Sequence, residues 1–149
     1  MTPNTEVQVG DRELTITRIF DAPRALVFEA WAEPEHLKRW FAPNNFTIPA
    51  CEMDFRAGGK FRLCMRGLGR DHWMNGVFRE IVRPERIVWT GMLDNDTNEV
   101  VTTARFEDLG SKTRLTVHQT YSIETDSTRG ARQGWTETLE HLAEFLAAA

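Results

Sequence analysis

The sequence predicts an α+β domain, an antiparallel sheet of six or seven strands packed against one long C-terminal helix. Three observations carry that prediction. From Phe46 to Tyr121, runs rich in apolar and β-branched residues alternate with turn clusters too closely spaced for helical crossovers. Two short helical segments precede them, each opened by a proline. The last thirty residues carry a strong helical stripe: counting from Trp135, Leu139, Leu142 and Leu146 recur at +4, +7 and +11. A single amphipathic helix after a sheet must bury its stripe on that sheet, and the two enclose the space between them.

Along the chain, residues 1–12 read as a flexible lead-in with a short extended piece at Val7-Gln8-Val9, and 13–149 as one domain. The run 13–20 alternates Leu14 and Ile16 against Thr15 and Thr17, a first strand. Pro23 then opens PRALVFEAW, with Asp21 placed as a cap, and Pro34 opens PEHLKRWF, which Pro43-Asn44-Asn45 stops. Strands follow near 46–55, 60–66, 72–82, 86–93, 99–107 and 113–121, separated by Gly-, Asn- and Asp-bearing turns. Phe61, Leu63 and Met65 share an inward parity, as do Leu115, Val117 and Gln119. The strand at 72–82 offers two readings: Trp73, Val77 and Ile81 inward with Arg79, or Met74, Phe78 and Val82 with Glu80. The final helix spans about 127–147, capped by Asp126 or Ser127, with Gly130 and Gly134 inside it. Each glycine costs about 1 kcal/mol against Ala, so close approach to the sheet or room for a ligand beside Trp135 would justify them.

Composition narrows the function. The chain is 41% apolar and 27% charged with a net charge of −4, which gives no reason to expect a nucleic-acid partner. No apolar run approaches the ~20 residues of a membrane span, and the polar start MTPNTEVQVGD is unlike a signal peptide, so a cytoplasmic protein is expected. Two cysteines exclude a disulfide framework; Cys51 opposes Cys64 only if the turn centres between Ala57 and Gly58, and both are expected reduced and largely buried. The four histidines, His36, His72, His118 and His141, lack metal spacing, so neither metal nor cofactor is expected. Of these, His118 and His141 read as exposed. G-x-S-x-G is absent, which argues against a serine hydrolase. His72 beside Asp71, and Glu80 if it faces inward, are the weak acid–base candidates.

Five Trp, nine Phe and five Met are a large aromatic and soft apolar supply for so short a chain. They fill a core or line a cavity for a flat, greasy ligand. As lining, the candidates are Trp31, Trp40, Phe41, Phe61, Met65, Trp73, Trp89, Trp135 and Leu139, with Gln119 as the polar contact.

The segments FDAPRALVFEAW (20–31), EPEHLKRWF (33–41), MDFRAGGKF (53–61), GVFREIVRPERIVWT (76–90), TRLTVHQTY (113–121) and GWTETLEHLAEFL (134–146) carry a family resemblance. Together they resemble the START-like, helix-grip (SRPBCC) superfamily, and within it the homologues of the activator of the 90-kDa heat-shock-protein ATPase. WFAPNNF at 40–46 departs from the paired tryptophans before Gly-Pro of many relatives, and Gln119 stands where many have His. The resemblance implies a curved sheet gripping the long helix around a ligand cavity, without implying one activity. The leading expectation is a small-molecule-binding domain, a monomer or weak homodimer, for an apolar or aromatic ligand. A chaperone or other protein partner, in the manner of the stress-response co-chaperones among the relatives, is the second. A metal-free cyclase- or dehydratase-type enzyme is the third, and an enzyme is the less favoured outcome.

Overall fold

The computed structural model describes residues 5–93 and 98–148. The elements run β1 (Thr5–Gly10), β2 (Glu13–Phe20), α1 (Arg24–Ala32), α2 (Pro34–Leu37), β3 (Thr47–Met53), β4 (Lys60–Gly67), β5 (Arg70–Val82), β6 (Arg86–Leu93), β7 (Val100–Asp108), β8 (Thr113–Tyr121) and α3 (Asp126–Ala148). The strands form one sheet in the order β1-β2-β8-β7-β6-β5-β4-β3 with every pairing antiparallel. The helices cover one face of it.

The sheet has eight strands, one more than the sequence suggested. Where a flexible lead-in was expected, Thr5–Gly10 pairs with β2 across the two-residue turn Asp11-Arg12, with Arg12 left-handed at φ 53°. The signal was there in the Val7–Val9 alternation, but the strand lies at the edge with Val7 and Val9 exposed, so no buried stripe marked it.

Register resolves β5, and shows why both parities looked apolar. Met74 pairs with Leu63 and Phe78 with Trp89, so this parity faces the helices. A bulge between Phe78 and Glu80 then shifts the phase, and Ile81, opposite Ile87, turns inward instead. Gly76 sits on the inner row opposite Phe61 and Gly91. A Cβ there would lie 2.1 Å from the Thr90 carbonyl and 2.4 Å from the Phe61 ring, so glycine lets that ring lie flat in the sheet's trough.

The caps differ from those expected. The N-cap of α1 is Pro23, without a side-chain bond, rather than Asp21. At α3, Thr125 and Thr128 cap reciprocally: Thr125 Oγ1 accepts from the Thr128 amide (3.2 Å) and Thr128 Oγ1 from the Thr125 amide (2.8 Å). The inward row of β2 also holds a charge. Arg18, between Ile16 and Phe20, is buried and donates to Glu140 of α3 at 2.6 Å. This ion pair ties the helix to the sheet above Leu139 and Leu142, both fully buried.

The cysteines do not face each other. Cys51 pairs with Leu63 and Cys64 with Ala50, which places the two thiols on opposite faces of the sheet. The pairing is shifted by one residue from the register that would have matched them. Both are free, Cys64 buried and Cys51 half-buried, and burial pushes the Cys51 thiol up to about 11. The Cys64 thiol is raised too, burial again being the main cause.

Candidate functional site

Two spaces adjoin one aromatic cluster. The first lies between the sheet and the α1–α2 segment. Trp31, Leu37 and Phe41 roof it, and Met53, Phe55, Phe61 and Leu63 form the edge-strand side. Met74, Phe78, Ile87 and Trp89 complete the floor. Every one of these side chains lacks a titratable group. The free volume is about 30 Å³, on the order of two water-sized spheres. The sequence argument placed the cavity under the C-terminal helix; the structure places it under α1–α2. On the α3 side, Leu139 and Leu142 are fully buried in the core.

Tryptophan 31 is the centre of this cluster. Its ring lies 4.9 Å from Trp40, 5.6 Å from Trp89 and 6.1 Å from Trp135, the last nearly parallel at 14°. Trp40 is 1% exposed and its indole N–H donates to the Ala30 carbonyl at 3.0 Å. Trp31 is 4% exposed, yet its Nε1 has no hydrogen-bond partner among the described residues. A buried donor left in that state costs about 1–3 kcal/mol.

The second space is an open cleft of about 330 Å³ at the start of α3, lined by Gly130, Gly134, Arg129, Arg132, Gln133 and Glu137 on the helix. Pro43, Asn44 and Phe46 form its opposite wall. A Cβ at Gly130 or Gly134 would meet nothing within 4 Å, so these glycines leave open space and are not close contacts with the sheet. The two spaces are neighbours. Phe41 roofs the cavity two residues before Pro43, and it packs on Trp135 at 5.6 Å, one residue after Gly134. His141, expected to be exposed, instead latches this corner. Its Nδ1 is 2.7 Å from the Ala42 carbonyl and its Nε2 2.8 Å from Asn44 Oδ1. Glu137 accepts from the Asn44 amide at 3.0 Å.

The residues singled out from sequence scatter around these features. Trp31, Phe41, Phe61 and Trp89 line the cavity. Trp135 abuts its roof, and Trp40 and Leu139 are core. Gln119 points inward, but two strands from the cavity floor, and its Nε2 donates to Thr102 at 3.0 Å. Met65 lies at the far end of β4 opposite His72. Trp73 is on the outer face, where the Arg62 guanidinium stacks over its ring at 3.8 Å. Neither weak acid–base candidate reaches the cavity. Glu80 lies outward, paired with Arg86, and His72 Nδ1 sits 3.3 Å from Arg70 near the hairpin end. Sequence reasoning did not name Leu37, Met53, Phe55, Leu63, Met74, Phe78 and Ile87 as lining, since alternation alone could not assign them to one chamber. Among the described residues there is no cluster of three or more His, Cys, Asp or Glu placed to hold a metal ion, and no helix long and apolar enough to cross a membrane.

Comparison with known proteins agrees with this architecture. Residues 21–147 match the family described as Activator of Hsp90 ATPase homolog 1-like protein. Among curated proteins none matches the chain. A crystal structure of a Chromobacterium violaceum protein superposes with a TM-score of 0.82 at 25% identity, covering 91% of this chain and 96% of that one. One from Nitrosomonas europaea gives 0.82 at 26% identity, over 95% and 97%. A Rhizobium leguminosarum protein gives 0.75 at 29% identity, over 97% of both chains.

Proposed function

The chain belongs to the Activator of Hsp90 ATPase homolog 1-like family, and on that premise we propose that it binds a small apolar or aromatic molecule in the chamber beneath α1–α2. The observation that carries this reading is a chamber lined by eleven side chains, all apolar or aromatic and none titratable. At about 30 Å³ the chamber is far below the roughly 300 Å³ of an ordinary ligand pocket, so a ring-sized guest must displace side chains. Met53 and Met74 suit that task, being unbranched and adaptable. The 42–46 segment, latched by His141, is the natural hinge, and the cleft beside Gly130 and Gly134 is the entrance. Phe41, Phe61 and Trp89 are the proposed walls, with Trp135 at the threshold.

The test is a two-dimensional NMR titration of the full chain with naphthalene. Shifts concentrated at Trp31, Phe61, Met74 and Trp89 support the reading; absence of any saturable shift there overturns it. Family membership favours a second reading, stimulation of a chaperone ATPase, as the family's description says of its namesake. An ATPase assay of a 90-kDa heat-shock chaperone with and without this protein tests it, and an unchanged rate removes it.

A further inference from the structure

We infer that the ligand of the α1–α2 chamber is a neutral molecule carrying one hydrogen-bond acceptor, held by the indole N–H of Trp31. This rests on the ligand-binding reading above and adds the chemistry of the guest. The starting point is a contrast between two tryptophans in contact. Trp40 and Trp31 are buried against each other with centroids 4.9 Å apart. The Trp40 N–H is spent on the Ala30 carbonyl at 3.0 Å, whereas the Trp31 N–H meets no acceptor among the described residues.

Buried polar groups are almost always paired, so an orphaned donor on a residue that lines the cavity calls for an outside partner. The rest of the lining fixes what that partner is. It offers no cation to neutralise a carboxylate or phosphate and no carboxylate to receive an ammonium, so a charged guest would be stranded in an apolar chamber. A hydrocarbon would fill the space but leave the donor unpaired. What remains is an apolar or aromatic body bearing a carbonyl, ether or hydroxyl oxygen.

The donor is also held still. Trp89, Trp135 and Phe106 surround the Trp31 ring at 5.6, 6.1 and 5.8 Å, so a guest's oxygen meets an N–H already fixed in direction. Gln119, the polar side chain that sequence reasoning favoured for this role, is occupied with Thr102.

A matched pair of probes separates this inference from the reading beneath it. Acetophenone and α-methylstyrene share shape and differ in a C=O replaced by C=CH₂. Each is titrated into the unmodified full chain while the indole N–H resonance of Trp31, identified by its loss in Trp31→Phe, is followed. The expected result is that acetophenone binds about five- to tenfold more tightly, the worth of one net neutral hydrogen bond. It should also move the Trp31 indole proton downfield, while α-methylstyrene does not. In Trp31→Phe the preference should vanish. Equal affinity for both probes, with the Trp31 indole unmoved, overturns the inference and leaves ligand binding standing. No saturable shift at any chamber residue with either probe overturns both.

Discussion

The two halves of the sheet are packed from different materials. On the α3 side, the inward rows of β2 and β8 carry Leu14, Ile16, Phe20, Leu115 and Val117 with Arg18 and Gln119 among them, closed by the buried Leu139 and Leu142, while Phe106 of β7 packs on Phe28 and Trp31 of α1. Under α1–α2, the inward rows of β3 to β6 carry Met53, Phe61, Met74, Phe78 and Trp89 together with Leu63 and Ile87, and this chamber is lined by Trp31, whose indole N–H is unpaired. Protein interiors pack close to crystal density, so the space left among these rings and thioethers is a local departure from it. The long helix closes one side of the sheet, and the short pair after β2 roofs the proposed binding chamber.

The sharpest way to break that contrast is to make the same enlargement on both sides. Leu139→Phe should cost about 2–3 kcal/mol by overpacking. Leu63→Phe, at the chamber wall, should cost less than about 1 kcal/mol, because the added carbons enter existing space. Urea unfolding of the two variants measures the difference, and equal costs would mean the halves are packed alike.

Next in size is a chemical difference. Cys51 is on the inward parity of the aromatic half, and its pKa of about 11, against an ordinary 9.0, leaves roughly a hundredfold less thiolate at pH 8. Native labelling by a neutral thiol reagent should accordingly be about a hundredfold slower than in urea, and should speed up as pH rises toward 11. A native rate equal to the unfolded one would show that the roof does not cover it.

The latch should give a smaller effect. His141→Ala removes the bonds to Ala42 and Asn44 and should cost about 1 kcal/mol, while increasing hydrogen exchange at 42–46 and leaving the aliphatic rows unchanged. Smallest is Gly134→Ala. With open space beside it, the new methyl should stabilise α3 by up to about 1 kcal/mol in thermal unfolding. A loss of stability would mean that Gly134 is sterically required.

Much of this fold was legible because period is a strong signal. The Trp135–Leu139–Leu142–Leu146 stripe and the strand–turn series named the long helix and the antiparallel sheet, and the family segments agreed. The site was less legible, for physical reasons. The Phe78/Glu80 bulge changes phase in mid-strand, so no single parity of β5 could be right. Arg18 broke the inward pattern of β2 because its partner, Glu140, lies 122 residues away in sequence. Aromatic content announced a cavity, but only the division of labour between α1–α2 and α3 decides which half holds it. Of the proposed contacts, Trp73 failed because alternation cannot tell an inward tryptophan from one stacked under an arginine on the outer face.

Intermolecular NOEs from benzene locate the proposed binding chamber. With methyl labels on Met and Leu, benzene at saturating concentration should give cross-peaks to Met53, Met74 and Leu63, and none to Leu139 or Leu142. Cross-peaks to Leu139 and Leu142 without any to Met53 or Met74 would place the guest beneath the long helix instead.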